Sequence, residues 1–162
     1  MSEEDVLSGV IDVARYMAIS AKTAPKARGV DNIVVSIITD KETLSKLADK
    51  MDEMAGELGE YMSRDANNVR NSQAVVLIGA KVVNIRLKGP PEYKIDINEA
   101  FSLVNLGIAV GSAVKTAALL NVDNRIMFSV GIAAQRLGLI NADYVLGIPL
   151  SVSSKNIYFD RK

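Results

Sequence analysis

Two short apolar runs limit what this chain can fold into. Asn32-Ile-Val-Val-Ser-Ile-Ile-Thr39 and Ala74-Val-Val-Leu-Ile-Gly79 are short and β-branched, with apolar side chains on both faces. A strand that is apolar on both faces belongs inside a sheet covered on both sides, and helices have to supply the cover.

The helices are present between them. Val6, Leu7, Val10, Ile11, Ala14, Met17, Ala18 and Ala21 make one stripe that should end before Pro25, with Glu3, Glu4 and Asp5 at the positive end of the dipole. Capped by Thr39 or Asp40, a second helix repeats Leu44, Leu47, Met51, Met54 and Leu58. Met62 to Gln73 is polar and turn-forming in composition. Val82 to Leu87 offers a short edge strand before Gly89-Pro90-Pro91, and a long central helix follows from about Asn98 to Leu120. A strand Arg125–Ser129, a helix Val130–Leu137, a strand Tyr144–Leu150 and an edge piece Ile157–Phe159 complete the order. The expectation is one α/β domain over residues 1–162, a three-layer or two-layer sandwich with a mixed central sheet and a long buried central helix.

Composition then removes whole classes of chemistry. The chain has 162 residues and 49% hydrophobic content, enough for one core, and no cysteine or histidine. Disulfides, cysteine-ligated clusters, the usual zinc sites and imidazole catalysis are excluded. Nineteen basic residues balance nineteen acidic ones, so no overall field favours nucleic acid or an anionic membrane. Ala100 to Leu120 has the length to cross a bilayer of about 30 Å, but Ser102, Asn105, Ser112, Lys115 and Thr116 favour a buried core helix. The acidic start, Met1-Ser-Glu-Glu-Asp5, points to a cytoplasmic protein.

Four segments could carry chemistry. The loop Ser20–Asn32 sets Lys22, Lys26 and Arg28 beside Thr23 and Gly29, a set suited to phosphate or carboxylate and equally to a solvated connection. Arg64–Ser72 holds Asp65, Arg70 and Asn71, where Asp65 could pair with Arg70 and Asn71 could cap a turn; a structural role is favoured. Asn121–Arg125 leads to a helix start near Gly131, whose amides could meet a ligand. The tail supplies Lys155 and Arg161, either closing over a ligand or lying in solvent. Gly107 and Gly111 let another backbone approach the central helix.

Taken together, Ser20-Ala-Lys-Thr-Ala-Pro-Lys26, Gly29-Val-Asp-Asn-Ile33, Asn68-Val-Arg-Asn-Ser72, Val75-Val-Leu-Ile-Gly79, Gly111-Ser-Ala-Val-Lys-Thr-Ala117, Val122-Asp-Asn-Arg-Ile126 and Gly147-Ile-Pro-Leu-Ser-Val152 resemble a prokaryotic family described as containing a ferredoxin domain. That resemblance implies a cysteine-rich stretch between the second strand and the central helix. Here Ala80–Asp96 contains no thiolate, so no iron–sulfur cluster is expected. More distantly, the element order is similar to the nitroreductase fold. This likeness implies a homodimer holding FMN at its interface, with Lys22, Thr23, Lys26, Arg28, Gly29, Lys155 and Arg161 as candidate cofactor ligands. Gly29 stands where that fold commonly has an asparagine supporting the flavin ring.

Three functions follow: an FMN-dependent oxidoreductase, a non-catalytic binding or regulatory dimer that has lost the iron–sulfur site, and a small-anion or nucleotide enzyme using Asp65, Arg70 and Arg125.

Overall fold

Ser2 starts the first helix through a capping box: its hydroxyl accepts the Asp5 amide at 3.1 Å, and the Asp5 carboxylate accepts the Ser2 amide at 2.8 Å. This helix, α1 (Glu3–Thr23), ends as expected before Pro25, whose ring disfavours helical geometry at Ala24. The computed structural model describes residues 1–159. A single 3-10 turn (Ala27–Gly29) leads into β1 (Ile33–Ile38). Then come α2 (Lys41–Glu53), α3 (Ala55–Leu58), α4 (Tyr61–Arg70), β2 (Ala74–Ala80), α5 (Ile97–Leu119), β3 (Asp123–Asn124), α6 (Phe128–Arg136) and β4 (Tyr144–Ser151). Asp40 caps α2 by accepting the Thr43 amide at 2.8 Å.

The strands form one sheet in the order β1-β2-β4-β3, with every pairing antiparallel. The expected mixture of directions is absent: three helices, α2, α3 and α4, intervene between β1 and β2, and the chain re-enters the sheet reversed. Alternate residues divide the core. Val76, Ile78, Ile148 and Leu150 meet Val10, Met17, Ala109 and Ala113 of α1 and α5, while Val75, Leu77 and Val145 meet Leu47, Met51, Val69 and Val130 of α2, α4 and α6. Three layers result, with β2 buried along its length and β1 at an edge.

Several local expectations are corrected. The polar segment 62–73 is mainly helix: Met62, Ala66 and Val69 lie on one buried stripe of α4. Residues 82–87 form no strand, because their amides turn to side chains: Val82 N–H donates to Asp143 and Ile85 N–H to Asn98. No strand forms over 125–129: β3 ends at Asn124, Met127 makes a single bridge with Gly147, and α6 already begins at Phe128. Residues 157–159 form a turn that buries Tyr158 completely, with its hydroxyl 2.8 Å from that of Ser72.

The central helix is buried on one face only. Ile97, Ser102, Asn105, Leu106, Ala109, Val110, Ala113 and Ala117 face inward, whereas Leu103, Val104, Gly107, Ile108 and Gly111 are exposed. By length and hydropathy α5 could cross a membrane. Its inner face instead packs on α1 and the sheet, as a core helix does.

Candidate functional site

The basic loop is built by the end of α1. Lys22 ion-pairs with Asp31, which holds that carboxyl below the usual range. The Lys26 ammonium bends back onto the C-terminal carbonyls of α1, those of Ala21, Lys22 and Ala24, where a cation complements the helix dipole. The Thr23 hydroxyl donates to the Ile19 carbonyl at 3.1 Å. Two of the three loop cations are thus engaged locally. Among the described residues Arg28 has no ion-pair partner; its Nη1 donates to the Arg86 carbonyl at 3.2 Å. Gly29 takes φ 68°, and a Cβ placed there would meet nothing within 4 Å, so open space borders the loop.

A buried amide pair fixes this loop to the core. Asn105 of α5 accepts the Ala27 amide at 2.9 Å and donates to Asn32 Oδ1 at 2.9 Å, while Asn32 donates to the Lys81 carbonyl at 2.8 Å. Both asparagines are nearly inaccessible, and leaving either without its partner would cost about 1–3 kcal/mol. In the sequence, the signal for this pair is Asn105 standing as a polar residue in an apolar helix.

The other candidates separate. Asp65 pairs with neighbouring Arg64 and accepts the Ser129 hydroxyl at 2.6 Å, locking α4 to the first turn of α6. Arg70 turns instead to α2, with one nitrogen 2.6 Å from both Asp49 and Asp52, so the anticipated Asp65–Arg70 pair does not form. Asn71 does cap α4, its side chain donating to the Asn67 carbonyl at 2.8 Å. Arg125 stacks 4.9 Å above the Phe159 ring and reaches the Tyr158 carbonyl at 3.5 Å. Asp65, Arg70 and Arg125 therefore serve three different junctions, which removes the anion site built on them.

Gly131 is not available to a ligand either. A Cβ there would lie 2.0 Å from the Val145 carbonyl oxygen, so this glycine exists to seat α6 on β4. Lys155 is exposed beyond the β4 end that pairs with Ala74, opposite the sheet end where Ile33 pairs with Ala80 and the basic loop lies. A single chain does not bring Lys155 to Lys22, Lys26 and Arg28. Arg161 lies outside the described residues. At the Lys155 end, a cleft of about 680 Å³ opens between Glu3, Lys41, Leu44, Arg70 and Gln73.

Among the described residues, no group of three or more His, Cys, Asp or Glu gathers where a metal could sit. The basic loop does fit an anionic organic cofactor at Arg28: next to it Gly29 borders open space, and among the described residues no carboxylate pairs with its guanidinium.

Known proteins agree with this fold. An uncharacterized protein of Archaeoglobus fulgidus is 45% identical, covering 99% of this chain and 97% of its own length. A nitroreductase with bound FMN from Desulfitobacterium hafniense superposes with a TM-score of 0.63 at 16% identity, covering 89% of this chain and 78% of that one. A hypothetical oxidoreductase from Bacillus subtilis gives 0.60 at 19% identity, and this chain spans only 58% of its length. The model of a family described as uncharacterized proteins containing a ferredoxin domain matches residues 97–161, beginning just beyond the thiol-free interval. On the strength of that match and of the close archaeal relative, the chain belongs to this ferredoxin-domain-containing family, carried on a nitroreductase-like fold.

Proposed function

We propose that the protein is a homodimeric, FMN-binding oxidoreductase in which the cofactor carries the redox chemistry. The observation that supports it most is the basic loop bordering open space at Gly29, on a fold shared with a nitroreductase that binds FMN. Bound FMN would supply electron and hydride transfer; the protein contributes position and charge. Arg28 would hold the phosphate with a forked guanidinium, and Lys22 would join it by exchanging its Asp31 partner. Lys26, fixed over the end of α1, would add charge without leaving its carbonyls. Lys155 would complete the set only from a second copy.

Dimerisation rests on α5. Its outer face presents Leu103, Val104 and Ile108 around Gly107 and Gly111, and nothing lies within 4 Å of a Cβ placed on either glycine. Tyr16 and Ile19 of neighbouring α1 extend the exposed apolar surface.

A second reading, a non-catalytic binding or regulatory dimer, is favoured by the local engagement of Lys22 and Lys26. Titrating FMN against intrinsic flavin fluorescence separates the two. Saturable quenching that weakens about tenfold in Arg28→Ala supports the oxidoreductase. No quenching at any concentration supports the binding dimer.

A further inference from the structure

Arg28 and Arg86 both adopt the left-handed backbone that non-glycine residues rarely take, with φ 53° and 56°, and they are joined directly through Arg28 Nη1 and the Arg86 carbonyl. Each is held there by α5. Asn105 accepts the amide of Ala27, just before Arg28, and Asn98 accepts the amide of Ile85, just before Arg86, at 3.0 Å. Asn98 and Asn105 are seven residues apart and therefore share one face of the helix. On that face, between them, lies Ser102, which is 1% exposed and whose hydroxyl has no hydrogen-bond partner among the described residues. Buried hydroxyls nearly always have partners, so this one keeps its hydrogen-bonding capacity for a group outside the chain, a water or a ligand atom. Both arginines are exposed, and all the ion pairs among the described residues involve other side chains.

We propose that Arg28, Arg86 and Ser102 form a binding site for a phosphate-type dianion. Two guanidiniums on anchored backbones offer several charge-assisted donors, which suits a tetrahedral dianion better than a single carboxylate. The Ser102 hydroxyl supplies a donor from the helix beneath. The dianion can be the phosphate of the cofactor or that of a separate phosphorylated substrate. The site shares Arg28 with the flavin reading but does not depend on it.

Calorimetric titration of the full chain with pyrophosphate tests the site. The wild type should bind it saturably. Arg86→Asn, chosen because asparagine tolerates the left-handed conformation, should weaken binding at least about tenfold with the ligand-free melting temperature unchanged. Ser102→Ala should also weaken binding while leaving the melting temperature equal or higher, since it removes an unpaired buried hydroxyl. Should Arg86→Asn disturb folding, Arg86→Lys keeps the charge and should give an intermediate affinity. Repeating the titration with FMN present identifies the source: displacement assigns the site to the cofactor phosphate, and simultaneous binding assigns it to a second ligand. Binding of pyrophosphate without FMN binding retains this site and removes the flavin. A wild type that binds no pyrophosphate, or an Arg86 variant that binds it equally well, overturns the proposal.

Discussion

Replacing Asn105 by alanine strands two partners together, the Ala27 amide and the Asn32 carboxamide oxygen, both held at 2.9 Å. The expected loss is about 2–4 kcal/mol in urea denaturation, more than a surface change could cause. Gly131→Ala should be costlier still, about 3 kcal/mol or more, because the methyl would meet the Val145 carbonyl at 2.0 Å and force α6 off β4. Asp52 gives the acid dependence. Hydrogen bonds from Arg70 first and Ser63 second hold its carboxyl below the ordinary value, so its contribution is present above the unfolded value of about 3.9 and lost as pH falls below it. With Asp52 39% exposed, solvent screening limits the effect to about 1 kcal/mol or less. Melting curves between pH 3 and 6, a range set by about one to two units around that value, should show a flatter acid limb for Arg70→Gln. Residue types suggested which side chains were polar and fixed, as with Asn71, but not their partners. Arg70 could not be assigned to Asp49 and Asp52 rather than Asp65 until α4 was known to be a helix lying against α2.

Strong periodicity made α1, α2 and the existence of β1, β2 and β4 legible, because each repeats apolar residues at its own spacing. Helix α4 was not legible: its apolar stripe is only Met62, Ala66 and Val69, set among residues that usually build turns. The turn residues of segment 82–96 were legible, but its side-chain-bound amides were not, since those partners lie on α5 and at Asp143. The one-sided burial of α5 was hidden for a similar reason. Its sequence is apolar nearly all round, and only the fold shows that Val104 and Ile108 are 50% and 41% exposed. If that face joins two copies, Ile108→Glu should leave the melting temperature of dilute protein nearly unchanged and halve the mass seen by sedimentation equilibrium. A wild type that is already monomeric at all concentrations contradicts the dimer.

At the level of the whole molecule, a three-layer scaffold carries cations at one end of its sheet and a cleft at the other, on a fold shared with FMN-containing nitroreductases. The sequence lacks every thiol and imidazole, so under the proposed function any redox chemistry falls to a bound flavin. Thermal unfolding of the full chain with FMN at about a hundredfold excess over its dissociation constant tests this claim most directly. Binding to the folded state alone predicts about 2.7 kcal/mol of added stability, a rise of roughly 5–10 °C, with a smaller rise for riboflavin, which lacks the phosphate. Melting curves that coincide with and without FMN, up to millimolar concentration, would contradict it.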